Sequence, residues 1–172
     1  NIDLNELCAE IAVAHRALFE KAEIDFHYSA QESLPSIMGE AGQLSWVFID
    51  LLANALKFSS PGGRVEFRTL DLAEAGVAVE IEDHGEGIAP EDLEHIFEPF
   101  YSKKVMGRSG TGLGLAVVWN TMEDHGGKIF VESSDKGTCF QLFFPLNEEE
   151  NGVQTEAGTT EKIVGNGEHI LV

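Results

Sequence analysis

The chain has 172 residues, 43% of them apolar and 24% charged, which suits one globular domain with a real core and is too short for two. A formal net charge of −19 argues against a nucleic-acid partner, because phosphate backbones require a basic surface. No apolar run approaches the ~18 residues needed to span a bilayer, no signal-peptide pattern opens the chain, and Cys8 and Cys139 fit reduced cytoplasmic thiols better than a disulfide. No direct membrane contact is expected of this segment, although an anchor elsewhere in a longer protein is compatible with it.

Asp3-Leu4-Asn5-Glu6 reads as an N-cap with a glutamate three residues on, opening a helix to about Ala22. Leu4, Leu7, Cys8, Ile11, His15, Leu18, Phe19 and Ala22 share one face at helical spacing. His15 has no metal-ligating partner nearby in sequence and reads as a partly buried core residue. Ile24–Ser29 alternates like a strand, and a short one is expected around Ser36–Met38. A second helix runs from about Glu40 to Phe58, with Leu44, Val47, Phe48, Leu51, Leu52 and Ala55 on a single stripe, and Pro61-Gly62-Gly63 turns the chain out of it. Arg64–Asp71 and Val77–Asp83 alternate as the two strands of a hairpin.

Residues 84–111 are rich in glycine, proline and charge, and so long a stretch without periodicity is more often functional than decorative. A third helix is expected from near Gly112 to the Gly126-Gly127 stop, apolar on both faces: Leu113, Ala116 and Val117 on one, Leu115, Val118, Trp119 and Met122 on the other. That pattern suits a helix held between a sheet and a covering segment. Lys128–Ser134 and Thr138–Pro145 form a last strand pair. The order of elements implies an α+β domain with helices packed on one face of a mixed sheet. Domain boundaries are placed at 1–146 for the folded part, 147–168 for an acidic flexible linker, and 169–172 for the start of a further strand.

Three constellations carry chemistry. Asp50, Asn54 and Lys57 line up in one polar row beside the buried stripe. An amide oxygen suits Mg²⁺, and a lysine one turn on supplies a point charge for phosphate; a solvated helix flank explains the row equally well. Asp83 ends an apolar strand, and Gly85 and Gly87 let the backbone approach whatever the carboxylate holds, such as an amine; a plain glycine turn is the alternative. Gly107 to Ala116 runs through Gly110, Thr111, Gly112, Leu113, Gly114 and Leu115 straight into a helix N-terminus, the outline of an anion site. It is neither a P-loop nor a dinucleotide fingerprint, since no Gly-Lys-Ser/Thr closes it and the strand, third glycine and acid are misplaced. The scarce cations Lys57, Lys103, Lys104 and Arg108 fall in or near these segments, which points to a small anionic ligand.

Together and in this order, the three segments resemble the ATP-binding domain shared by sensor histidine kinases, DNA gyrase, Hsp90 and MutL, over about residues 3–146. Asn54 with Lys57 resembles the family's N box, Asp83-x-Gly85-x-Gly87 its first glycine box and Gly110-x-Gly112-x-Gly114 its second. Phe97-Glu98-Pro99-Phe100 is similar to the box specific to histidine kinases, and the run on to Lys103-Lys104 looks most like the nitrogen-regulator type with a short lid. The resemblance implies a two-layer α/β sandwich, the Bergerat fold, whose mixed and mostly antiparallel sheet is covered on one face by three helices. It implies ATP and Mg²⁺ as cofactors: Asp83 on the adenine amine, Asn54 on Mg²⁺, Lys57 on the phosphates, and Phe58 near the base. Lys103, Lys104 and Arg108 would lie on or beside a flexible ATP lid. Gly110, Gly112 and Gly114 would cradle phosphate, with Thr111, Leu113 and Leu115 in the same turn. Ile88, Phe97, Phe100 and Thr138 would line the nucleotide site.

Asp50 departs from the family's usual asparagine, and either a role behind the Mg²⁺ ligand or some hydrolysis follows from it, the first being favoured. His84 also replaces a more usual asparagine; its side chain is expected in solvent and is given no role. The implied partners are ATP or ADP, a histidine-bearing dimerisation domain of the same protein, and a response-regulator or receiver domain. Gly167–Val172 is similar to the entry into such a receiver. None of the six histidines has the expected acceptor context of a following acid and a nearby proline, so nucleotide binding without self-phosphorylation is expected, by a monomer.

Overall fold

A computed structural model describes residues 1–101 and 111–146 of the chain. The expectations placed on Lys103, Lys104, Arg108, Gly110 and residues 147–172 therefore lie outside the described residues.

Helix α1 spans Leu4–Lys21, and the Asp3 side chain caps it by accepting the backbone N–H groups of Asn5 and Glu6 at 2.8 and 3.1 Å. This satisfies two of the four donors that a helix start leaves without partners. Its inward face carries Leu4, Cys8, Ile11, Ala12 and Phe19. His15 is half-buried, its Nδ1 lying 2.8 Å from the Ile11 carbonyl oxygen. Leu18, expected on the same stripe, is instead 50% exposed. At 100° per residue the stripe drifts around the helix, and Leu18 falls on its outer border while Phe19 takes the core.

Strand β1 (Asp25–Ser29) leads to helix α2 (Ala41–Phe58), whose expected stripe of Leu44, Val47, Phe48, Leu51, Leu52 and Ala55 is buried throughout. Between them Ile37 makes an isolated antiparallel bridge with Ile2, the whole of the short strand expected there. Strands β2 (Arg64–Asp71) and β3 (Val77–Asp83) form the expected antiparallel hairpin. A single turn of helix, α3 (Pro90–Leu93), follows. Helix α4 spans Gly114–Asp124, two residues later than the expected start, because Gly112 has φ +70° and cannot begin a right-handed helix. Strands β4 (Lys128–Ser134) and β5 (Gly137–Phe144) close the chain.

The five strands lie in the order β1-β2-β3-β5-β4, with β1 parallel to β2 and every other pair antiparallel. Alternate residues face the helices: Val65 and Phe67 on β2, Val79 and Ile81 on β3, Phe140 and Leu142 on β5, all buried. The opposite face mixes a charged cluster with an aromatic pair, Phe130 against Phe143 at 5.5 Å. There Arg68 is held by Glu66, by Glu80 at 3.1 Å and by Glu82 at 2.6 Å. The domain is thus two layers, helices over one face of a mixed sheet.

α2 is the central helix of the upper layer. Its Phe48 ring lies 6.1 Å from Phe67 and 6.4 Å from Phe144, so it reaches β2 and β5 at once. Each such buried side chain contributes about 1.5–3 kcal/mol. On α4, Ala116, Val118 and Met122 are buried, while Val117 and the N-cap residue Leu113 remain 41% and 39% exposed. The covering segment expected over that second face is not found among the described residues.

Candidate functional site

The C-terminal half of α2 carries both halves of the site. Asp50 and Phe58 are eight residues apart, a rise of about 12 Å, and each meets a different glycine turn.

At the Asp50 end, the Asn54 side chain donates from Nδ2 to the Asp50 carboxylate at 3.3 Å. Four residues is the spacing at which two helical side chains meet, and both are half-buried. With its NH₂ turned to Asp50, the amide keeps Oδ1, a hard oxygen, for another ligand. The Asp50 carboxylate lies against Gly114, the first residue of α4; a Cβ there would stand 2.5 Å from one carboxylate oxygen and 2.7 Å from the other. Among the described residues no side chain caps α4, and this carboxylate sits beside the positive end of that helix. Burial pushes the Asp50 carboxyl above its ordinary value, and the Asn54 hydrogen bond partly offsets that. Lys57, one turn on, is half-buried with its Nζ 4.8 Å from the centre of the Phe58 ring.

At the Phe58 end, Asp83 terminates β3 and is 7% exposed. It accepts the Gly85 N–H at 2.9 Å and a backbone hydrogen bond from Thr138, its cross-strand neighbour on β5. Burial raises the Asp83 carboxyl above its ordinary value, and the two backbone donors oppose the shift without cancelling it. A Cβ on Gly85 would come within 2.6 Å of the Phe58 carbonyl oxygen and 2.8 Å of the Asp83 carboxylate, so only glycine lets α2 and the strand end approach this closely.

Beneath this, Thr138, expected at the nucleotide site, pairs with a serine hydroxyl that the sequence did not single out. Ser133 on β4 accepts the Ile88 N–H at 2.8 Å, donates to the Gly137 carbonyl at 3.2 Å, and lies 2.8 Å from the Thr138 hydroxyl. This ties the first glycine turn to the β4–β5 hairpin. Nothing in the local sequence separates Ser133 from the serine beside it, because the Ile88 N–H that it anchors comes from 45 residues away.

The remaining expected site residues fall around these two clusters. The Phe97 ring packs on Trp119 of α4 at 5.1 Å. Phe100 is 76% exposed, has φ +68°, and donates its N–H to the Gly112 carbonyl at 2.7 Å. That bond clasps the two ends of the 101–111 segment. Thr111 is exposed, Ile88 and Leu115 are half-buried, and His84 is exposed as expected. Asp92, buried at 8%, is hydrogen-bonded by the Tyr101 hydroxyl, a contact no sequence pattern announced. Both cysteines are free thiols, and burial pushes Cys139 up to about 12. Among the described residues no cluster of histidine, cysteine and carboxylates could by itself hold a metal, and no helix is long and apolar enough to cross a membrane.

Known proteins resemble the chain over most of its length. A family model described as histidine kinase-, DNA gyrase B- and HSP90-like ATPase matches residues 39–148. Sensor histidine kinase ZraS of Escherichia coli strain K12 is 36% identical over 147 residues, covering 85% of this chain and 31% of ZraS. The solved catalytic domain of histidine kinase ThkA superposes with a TM-score of 0.76 at 30% identity, over 87% of this chain and 97% of that one. ThkA has also been solved in complex with the response regulator TrrA, and that kinase chain matches at 27% identity with a TM-score of 0.72, over 87% of this chain and 42% of that one. The chain therefore spans about a third of the length of ZraS and nearly all of the isolated ThkA domain.

Proposed function

Because the chain belongs to the histidine kinase-, DNA gyrase B- and HSP90-like ATPases, as a histidine kinase catalytic domain, we propose that it binds Mg²⁺-ATP and presents the γ-phosphate to a histidine on a separate helical dimerisation domain. The observation that carries this reading is the pair of clusters set about 12 Å apart along α2. One holds a buried carboxylate that can accept from an exocyclic amine. The other brings an amide and a carboxylate to a helix N-terminus, with Lys57 one turn further along α2.

In this arrangement Asp83 accepts from the adenine amine, held in position by the Gly85 and Thr138 backbone. Asn54 offers its amide oxygen to Mg²⁺, with Asp50 fixing the orientation of the amide from behind. A bound Mg²⁺ would supply charge neutralisation on the phosphates, and the donor chemistry of Asn54 fits it. Lys57, Gly112 and Gly114 would face the phosphates, and Lys103, Lys104 and Arg108 would add charge from the intervening segment. Phosphoryl transfer asks mainly for positioning and charge stabilisation, which this set supplies without a protein nucleophile. A gyrase-like hydrolytic reading would require Asp50 as a free base. Its carboxylate instead accepts from Asn54 and rests on Gly114. The phosphoacceptor and a response-regulator or receiver domain complete the proposed partners.

Calorimetric titration with ATP, ADP and GTP, with Mg²⁺ and then with a chelator, tests the reading. Adenine-selective binding that weakens without Mg²⁺ is expected, and no label should pass from γ-labelled ATP to the chain itself. Failure to bind any nucleotide would overturn it, and steady phosphate release would return Asp50 to the role of base.

A further inference from the structure

Helix α4 is tied to α2 at both ends, and only one tie lies in the site described above. At the far end the tie is His125, the C-cap residue of α4. Its ring accepts the Glu40 N–H at Nε2, 3.0 Å away, while Nδ1 lies 2.7 Å from the Thr121 carbonyl oxygen. These two bonds together fix one neutral tautomer, with the proton on Nδ1 and the lone pair on Nε2. Glu40 is the N-cap residue of α2, and its own side chain makes no capping bond. The C-cap histidine of one helix thus holds the N-cap residue of the other.

The ring is also wedged. A Cβ on Gly39 would stand 2.6 Å from the His125 Cδ2 and 3.3 Å from the Ile2 side chain. Ile2 is in turn hydrogen-bonded to Ile37 in both directions, at 2.8 and 3.1 Å. On its other side the ring borders an open cavity of about 410 Å³ that Met38, Gln43 and Asp124 also line. Filling the core is therefore not what this side chain does.

The two helices run antiparallel, since Glu40 meets the end of α4 and Asp50 meets its beginning. An 11-residue helix is a rod of about 16 Å, and a slide at one end is a slide at the other. We propose that His125 is a positioning residue for the phosphate end of the nucleotide: it sets the axial position of α4 on α2, and so the seating of Gly114 on Asp50 beside Asn54. The inference rests on the nucleotide-binding reading. It separates from it because the donors to Asp83, the Gly85 and Thr138 backbone, lie outside α4.

The test is the affinity for Mg²⁺-ATP and for adenosine, the latter by competition, together with melting of the nucleotide-free protein. Loss of one hydrogen bond predicts that His125→Leu weakens ATP about fivefold with adenosine unchanged. His125→Gln, whose amide oxygen can accept from Glu40, should recover most of that loss. Gly39→Ala, which pushes the ring off the same contact, should reproduce the leucine variant. If His125→Leu does not fold, the glutamine and Gly39→Ala variants decide the matter. Lower melting temperatures with an unchanged ratio of ATP to adenosine affinity would reduce His125 to a structural contact and overturn the proposal. A wild-type protein that binds no nucleotide would instead overturn the function it rests on.

Discussion

The two ends of the site are built from different materials. The Asp83 end is a sheet construction: the carboxylate stands at a strand terminus, its donors come from the next strand and the following turn, and Ser133 locks the turn from below. The Asp50 end is a helix construction, in which a carboxylate and an amide on α2 meet the start of α4 with no β-ladder holding them. A sheet register is discrete, because a one-residue slip turns every side chain to the wrong face. Helix packing admits small slides and rotations. The base end should therefore be rigid and all-or-none, and the phosphate end graded.

Substitutions can break this contrast. The largest effect is expected from Asp83→Asn. Removing a charged acceptor from a buried hydrogen bond costs up to ~3 kcal/mol, about 100-fold in ATP affinity by calorimetry. The same variant should be no less stable without nucleotide at pH 7, since ionised Asp83 opposes its own burial. Unchanged ATP binding would mean the base pocket is elsewhere. Next comes Gly114→Ala, which drives a methyl into the Asp50 carboxylate. Overpacking of ~1–3 kcal/mol should appear as roughly tenfold weaker ATP binding, with adenosine little affected. Equal loss of both ligands would erase the distinction between the ends. Ser133→Ala should cost about threefold in affinity for ATP and adenosine alike, because it loosens only the turn beneath the base.

The smallest effect is on pH dependence. Folded Asp83 has a pKa above the ordinary 3.8, so it holds its proton more tightly than the unfolded chain does. Its contribution to stability is complete below 3.8 and is lost as pH rises through the folded value. The melting advantage of Asp83→Asn over wild type at pH 7 should accordingly shrink as the pH falls toward 3.8. An advantage constant with pH would mean that Asp83 is not buried as an ion.

Much of this was legible in the sequence, and the rest was hidden for definable reasons. The α2 stripe and the β2–β3 hairpin follow from periodicity alone, because a buried face repeats at the period of its own element. The alignment of Asp50 with Asn54 followed from the same arithmetic. What periodicity cannot supply is a partner from another element. The seating of Gly114 on Asp50, Ser133 under Ile88 and Phe97 against Trp119 join residues that no local pattern connects. Leu18 shows the complementary limit, a stripe member exposed at the border of its face.

Among the described residues, the strand order leaves β1 and β4 on the outside of the sheet. An open edge is a template on which another chain can add a strand. β1 is only five residues long and carries exposed Asp25 and His27, paired at 2.8 Å, while β4 exposes Lys128 and Glu132. A second copy of so acidic a chain, approaching edge-on, would have to bury these charges against its own. The acidic charge that argues against a nucleic-acid partner thus also works against self-association through the sheet edges.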